Sequence, residues 1–347
     1  MGGLLLGMKN LSSLDKSNLR QVIIDSPKQF AAGLKIAQGI KIPGKFSSLE
    51  ISGMGGSSLP GDVLRIYITS LFAEHPKNNR GLEIFQNRSY SLPYEAYNNC
   101  LDFFCSYSGN TEETVSSLQE AIKHSLPSIG FTTGGKVAEL CRANGIPCVI
   151  LPTGIQPRCA TGYFFAAMLQ VLTNMELLED QTEKLLALAK KLDDDVLQLE
   201  ETGRAIAQKL TGKTPIIYSS VKFAALALIW KIKINENAKT PAFYNFYPEL
   251  NHNEMVGWTL PQGKFHIITL LDPNDHPQNI KRMKITAELL KKKGTKTTLV
   301  EMEKSFVLNT IFNTLLLGDW VSYHLALEYG QDPTPVDIVE DLKKKLA

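Results

Sequence analysis

The sequence predicts an α/β protein of two lobes, each built from parallel βαβ units. Three observations carry this. The chain has 347 residues, more than one domain commonly holds. Short apolar runs ending in Gly, Ser, Thr or Pro alternate with amphipathic stretches, the pattern of parallel strands joined by crossover helices. That rhythm runs twice, interrupted by a stretch of different character at 175–210.

In chain order, residues 1–42 read as a helical region with an approach loop. Residues 43–175 make the first lobe, with strand candidates at 49–52, 82–85, 101–105, 128–131 and 148–151. Residues 176–210 are rich in Leu, Glu, Lys and Gln and contain no Pro, so they read as long connecting helices. Their heptad signal is too short for a coiled coil. Residues 211–347 make the second lobe and end in a C-terminal helix. Its strand candidates are 215–218, 265–271 and 297–300, and its helix candidates 221–235, 278–292, 308–328 and 335–346. Thr334 as cap and Pro335 in the first turn mark the start of the last helix. Such lobes place a ligand at the carboxyl ends of the strands, near a topological switch point.

Composition narrows the function. Hydrophobic residues make up 44% and charged residues 21%, ordinary for a globular chain. Lys and Arg total 37 against 35 for Asp and Glu, so no general field draws nucleic acid or an anionic membrane. An anion must be held by a local site. The five cysteines are odd in number and lack CxxC spacing, which argues against a disulfide framework or a zinc site and for a reducing cytoplasm. No apolar run reaches the roughly 20 residues of a membrane span. The opening residues read as neither signal peptide nor myristoylation site.

Five stretches carry chemistry. The first, ISGMGGSSLPGD at 51–62, follows a strand candidate and precedes a helix. Gly55 and Gly56 let backbone N–H groups approach an anion, and Ser57 adds a hydroxyl. A tight turn explains the glycines equally well. A dinucleotide fingerprint would need Gly where Ser58 stands, and no Walker lysine is present. The second, LDFFCSYSGNTEET at 101–114, is a buried strand, a hydroxyl-rich turn and a helix start. Ser106, Ser108 and Thr111 can converge there on a phosphate dianion. A helix cap alone would need fewer hydroxyls.

The third is KINENAK at 233–239, the end of a long apolar helix. Glu236 sits between two amides that can orient a carboxylate, although a surface Glu among lysines fits the same letters. The fourth is ELNHNEMVG at 249–257. His252, flanked by asparagines in a polar turn, is suited to proton exchange near neutral pH. No second His follows at helical spacing, so it is not a metal motif. The fifth is PRCATG at 157–162, where Arg158 can stabilise an oxyanion or make a helix-start ion pair.

Together the segments GMGGSS, SYSGNTEET, FTTGGKVAEL, PR, KINENAK, ELNHNEMVG and the C-terminal DPTPVDIVEDLK resemble the bifunctional phosphoglucose/phosphomannose isomerase family of the sugar isomerase (SIS) superfamily. SYSGNT alone marks only an SIS domain; NENAK followed by NHN is much more specific. The resemblance implies two SIS lobes, each a flavodoxin-like three-layer sandwich. It implies isomerisation of glucose 6-phosphate and mannose 6-phosphate to fructose 6-phosphate through an enediolate, with neither metal nor organic cofactor. The setting is cytoplasmic carbohydrate metabolism, in glycolysis and gluconeogenesis. By the same match Gly55, Gly56, Ser57, Ser106, Ser108 and Thr111 hold phosphate, Glu236 moves the C1/C2 proton, His252 assists ring opening, and Arg158 stabilises the enediolate. Lys343 becomes a further substrate contact and Thr334 helps the site accept both C2 epimers. The implied partners are a phosphosugar and a second copy of the chain, a homodimer in which His252 crosses the interface, with no nucleic acid and no membrane. The family usually has Gly at the position of Ser58 and Ala-Leu-Pro-like residues after the Arg, departures that bear on the rim of the sugar pocket. Rival readings are an SIS isomerase for another phosphosugar and a non-catalytic phosphosugar sensor.

Overall fold

The computed structural model describes residues 13–74 and 81–346. It divides into two compact units: Asp25–Asp193, and Asp194–Ala347 together with Met1–Ile24. The first unit holds strands β1 (Ser48–Gly53), β2 (Glu83–Asn87), β3 (Cys100–Ser106), β4 (Ser128–Thr132) and β5 (Cys148–Ile150). They form one parallel sheet in the order β2-β1-β3-β4-β5. Every residue of β3 is buried, as a central parallel strand covered on both faces requires. One face packs Phe104 against Leu118, Ala121, Val137 and Cys141 of the crossover helices. The helix Lys28–Ile36 lies tightly on Thr161–Asn174, because Gly33 carries no side chain. A Cβ there would fall 2.6 Å from the Tyr163 carbonyl oxygen.

The chain leaves β1 toward β2 and leaves β3 toward β4, so the topological switch lies between β1 and β3. Their carboxyl ends are Gly53 and Ser106, the points where the two motif loops begin.

The second unit holds β6 (Thr214–Ser220), β7 (Phe243–Tyr247), β8 (Phe265–Leu271) and β9 (Lys296–Glu301), parallel in the order β7-β6-β8-β9. Its core includes Ile216, Tyr218, Tyr247, Leu250, Trp258 and Ile267. The helices Ala224–Ala238 and Val307–Glu328 pack closely: Trp230 Nε1 donates to the Thr314 carbonyl at 2.8 Å, and Gly318 leaves room for the indole.

The two-sheet α/β architecture is the one the sequence predicts. The 29-residue helix Thr182–Leu210 fills most of the Leu/Glu/Lys-rich stretch. Of the N-terminal region, Leu19–Ile24 and Lys28–Ile36 are helical, and the first twelve residues lie outside the described residues. Strand β7 is not among the sequence candidates. It lies between Pro241 and Pro248, which read as breakers, and is an edge strand with Phe243 and Tyr244 exposed. The last helix begins at Asp337, two residues later than expected. Val339 and Glu340 donate to the Val336 carbonyl, so neither Thr334 nor Pro335 belongs to its first turn. Among the described residues no helix is long and apolar enough to cross a membrane.

The sheet of the first unit hides two acids side by side. Glu50 on β1 stands in register with Asp102 on β3, and both are fully buried. Ser52 Oγ donates to Glu50 Oε1 at 2.7 Å. Burial, then the neighbouring Asp102, pushes Glu50 well above the usual carboxylate range, and burial pushes Asp102 up to about 7. Because the folded pKa is the higher one, the folded chain holds more protons between about pH 4 and 7. Stability therefore falls as pH rises through that window and stays reduced above it. Asp102→Asn should flatten the slope, recovering about 2 kcal/mol between pH 5 and pH 8 in urea unfolding. An unchanged slope would place the proton elsewhere.

Candidate active site

In the first unit, three loops meet at the carboxyl ends of β1 and β3. The 3₁₀ turn Gly55–Ser57 follows β1, the SYSGNT loop follows β3, and the turn Pro157–Cys159 follows β5. Two glycines permit the approach. A Cβ on Gly56 would lie 2.4 Å from the Arg158 backbone nitrogen, and one on Gly109 would lie 1.8 Å from the Gly134 carbonyl oxygen. Gly55 has φ +50°, a conformation a glycine adopts without strain.

Hydrogen bonds tie the loops. The Tyr107 backbone N–H donates to Ser57 Oγ at 2.9 Å. The Tyr107 hydroxyl donates to the Pro152 carbonyl at 2.8 Å, anchoring the segment that leads to Arg158. Ser106 Oγ shares a 2.8 Å hydrogen bond with Thr111 Oγ1 and accepts from Gly109 N–H at 3.0 Å. Thr111 occupies the N-cap position of Glu112–Lys123, yet its side chain makes no cap bond. It turns to Ser106 instead, so capping does not account for it. Ser57 and Ser106 are buried, Thr111 is half-buried and Ser108 is exposed. The structure thus brings Gly55, Gly56, Ser57, Ser106, Ser108, Thr111 and the Arg158 backbone into one loop cluster at a helix N-terminus. Such a cluster suits an anion bound by N–H groups and hydroxyls.

Arg158 itself is 1% exposed, and its turn is held from far away in sequence. Gln29 Nε2 donates to the Cys159 carbonyl at 2.7 Å, while Gln29 Oε1 accepts from the N–H groups of Gly162 and Tyr163 at 3.1 and 3.3 Å. One buried amide therefore satisfies both sides of the turn. No local sequence signal marks Gln29.

In the second unit, Glu236 lies in the last turn of Ala224–Ala238. That helix is clamped to Val307–Glu328. Lys233 Nζ meets Asp319 Oδ1 at 2.5 Å and Asn237 Nδ2 donates to Ser322 Oγ at 2.9 Å. The amide nitrogens on either side of Glu236 bind the fold: Asn237 reaches Ser322 and Asn235 reaches the Thr240 carbonyl at 2.8 Å. Successive helical side chains point about 100° apart, which separates neighbours in sequence. Lys239, in the left-handed conformation, ends the helix. Its ammonium donates to the carbonyls of Glu236, Asn237 and Pro333 at 2.7, 3.1 and 3.2 Å. Cation and helix C-terminus are well matched. That bond brings Thr334, the residue after Pro333, beside the Glu236 turn.

His252 is not brought to Glu236. It is exposed in the turn Glu249–His252, past the carboxyl end of β7, whereas Glu236 precedes its amino end. The five residues of β7 span roughly 16 Å. The His252 turn is fixed by its neighbours. Asn251 Nδ2 donates to Thr286 Oγ1 at 2.9 Å, and Glu254 accepts from the Tyr218 hydroxyl and from Asn245. Burial and then the Glu254 carboxylate push the Tyr218 hydroxyl far above its ordinary value, so it remains a donor. Lys343 stands on Asp337–Leu346, a helix with no buried residue, paired with Glu340 at 2.7 Å. The structure leaves it apart from the other candidates of its unit. The second unit has its own switch point between β6 and β8, but buried Asp272 sits there with Lys222 at 3.2 Å, and a carboxylate disfavours a phosphate.

Parallel sheets of this order with a glycine and hydroxyl cluster at the switch point define an SIS-type protein. A family model described as the bacterial phospho-glucose isomerase C-terminal SIS domain matches residues 199–346. The solved structure of a glucosamine-6-phosphate deaminase from Thermotoga maritima superposes with a TM-score of 0.63 at 14% identity, covering 94% of this chain and 96% of that one. The chain is 34% identical to a bifunctional phosphoglucose/phosphomannose isomerase of Caldicellulosiruptor bescii, over 94% of this chain and 98% of the relative. It is also 32% identical to a D-glucosamine-6-phosphate 4-epimerase of Sulfolobus acidocaldarius, over 72% of this chain and 76% of that protein. The chain belongs to the bifunctional phosphoglucose/phosphomannose isomerase family.

Gly56→Ala should destabilise the chain by about 1–3 kcal/mol, because the Arg158 backbone must give way. It should also weaken the stabilisation that inorganic phosphate gives the wild type. Urea unfolding with and without phosphate reads both.

Proposed function

We propose that the chain interconverts glucose 6-phosphate and mannose 6-phosphate with fructose 6-phosphate by proton transfer between C1 and C2. The observation that carries this is the loop cluster at the β1–β3 switch, an anion cradle with an arginine at its edge, in a chain of this family. Ser57, Ser106, Ser108, Thr111 and the backbone of Gly55 and Gly56 bind the phosphate, whose binding energy positions the sugar. Glu236 takes the carbon-bound proton and returns it to the neighbouring carbon. Arg158 stabilises the enediolate charge. His252 opens the ring, Thr334 helps accept both C2 epimers, and Lys343 is a further substrate contact. No metal or organic cofactor is required, since each step moves only protons.

The separation of Glu236 and His252 along β7 favours a homodimer in which each His252 serves the partner's site. A phosphosugar in central carbon metabolism places the protein in the cytoplasm, in glycolysis and gluconeogenesis, without nucleic-acid or membrane partners.

The test is turnover of both aldose phosphates with EDTA present. Wild type should convert both. Glu236→Gln should lose about 10²–10⁴-fold in kcat with KM little changed. Mixing unfolded and refolded Glu236→Gln with His252→Ala should restore about a quarter of wild-type activity, because mixed dimers hold one intact site. Mixtures that stay inactive would contradict the shared site. Epimerisation of glucosamine 6-phosphate at C4 without isomerisation would contradict the reaction.

A further inference from the structure

The helix Gly135–Ala143 ends in a tight return. Gly145 has φ +67°, the Ile146 N–H donates to the Cys141 carbonyl at 2.9 Å, and the chain enters β5 at Cys148. Cys148 stands in register with Gly130 of β4, whose N–H donates to the Pro147 carbonyl at 2.9 Å. A Cβ on Gly130 would lie 2.7 Å from Cys141 Sγ and 3.0 Å from Cys148 Sγ, so the two sulfurs face each other across one point that only glycine leaves open.

We propose that Cys141 and Cys148 form a redox-modifiable pair that closes to an intrachain disulfide on reaction with a low-molecular-weight disulfide. Cys148 is the attacking thiol. It is half-buried, whereas Cys141 is fully buried. The hydrogen bond from Cys141, and then the Arg142 charge, hold the Cys148 thiol below its ordinary value; the same bond, then burial, pushes Cys141 up. Cys148 Sγ attacks one sulfur of the oxidant, forming a mixed disulfide and expelling a thiolate that takes the Cys148 proton. Cys141 Sγ then attacks Cys148 Sγ, the mixed disulfide breaks, and the second thiolate leaves with the Cys141 proton. Two protein thiols are oxidised to one disulfide and one small disulfide is reduced to two thiols.

The bond would tie two parts of the loop cluster. The Cys141 helix begins at the SYSGNT loop, where Val137 N–H donates to the Gly109 carbonyl at 2.9 Å, and β5 leads on to Arg158. Of the other three thiols, Cys100 and Cys105 are buried on β3, and Cys159 lies in the turn Pro157–Cys159.

The test treats the native chain with oxidised glutathione, quenches in acid, and alkylates under denaturing conditions. Wild type should lose two of its five alkylatable thiols, recover them with dithiothreitol, and yield a peptide linking Cys141 to Cys148. Cys141→Ser should stop at a glutathione adduct on Cys148, and Cys148→Ser should keep its remaining thiols. Five thiols left intact in wild type would overturn the proposal, as would two lost from Cys148→Ser or a linkage to another cysteine. The wild-type peptide map decides even where a variant folds poorly.

Discussion

The candidate site depends on two missing side chains. Gly56 lets the turn after β1 touch the backbone of Arg158, and Gly109 lets the SYSGNT loop touch the Gly134 carbonyl. With any Cβ at either position the backbones would have to part, and the hydroxyls of Ser57 and Ser106 would no longer share a small volume with the Arg158 turn. The rest of the first unit works to hold that approach. Tyr107 pins the chain after β5, and Gln29 satisfies both sides of the Arg158 turn. Those bonds cost no mobile side chain at the point where the ligand charge would sit, which is the form electrostatic preorganisation takes.

The second unit repeats the topology and uses it differently. Its switch point carries Asp272 with Lys222, so an anion is disfavoured there. Its candidate base sits instead at the far end of a helix. Trp230, Lys233 and Asn237 clamp Ala224–Ala238 to its neighbour, and Lys239 closes the helix end under Glu236. A base on a rigid helix can be placed to within the fraction of an ångström that proton transfer needs. One fold thus presents a loop cluster suited to an anion in one copy and a carboxylate at the end of a clamped helix in the other.

Much of this was legible because it is local. Glycines and hydroxyls after a strand mark an anion loop wherever they occur, and the alternation of short apolar runs with amphipathic stretches marked the parallel strands. What stayed hidden depends on contacts distant in sequence. Gln29 acts 130 residues from its partner. The burial of Glu50 and Asp102 follows from strand register, which their letters do not reveal. Strand β7 was masked by its flanking prolines. The return of Cys148 onto Cys141 depends on a glycine in a third element.

The central claim is that a carbon-bound proton is moved through an enediolate. Turnover of fructose 6-phosphate in deuterium oxide, with products read by NMR, tests it directly. The account predicts glucose 6-phosphate and mannose 6-phosphate carrying deuterium at C2, because a carboxylate base exchanges its proton with solvent before returning it. Deuterium found at another carbon with C2 unlabelled would mean that a different C–H bond is broken, and would contradict it.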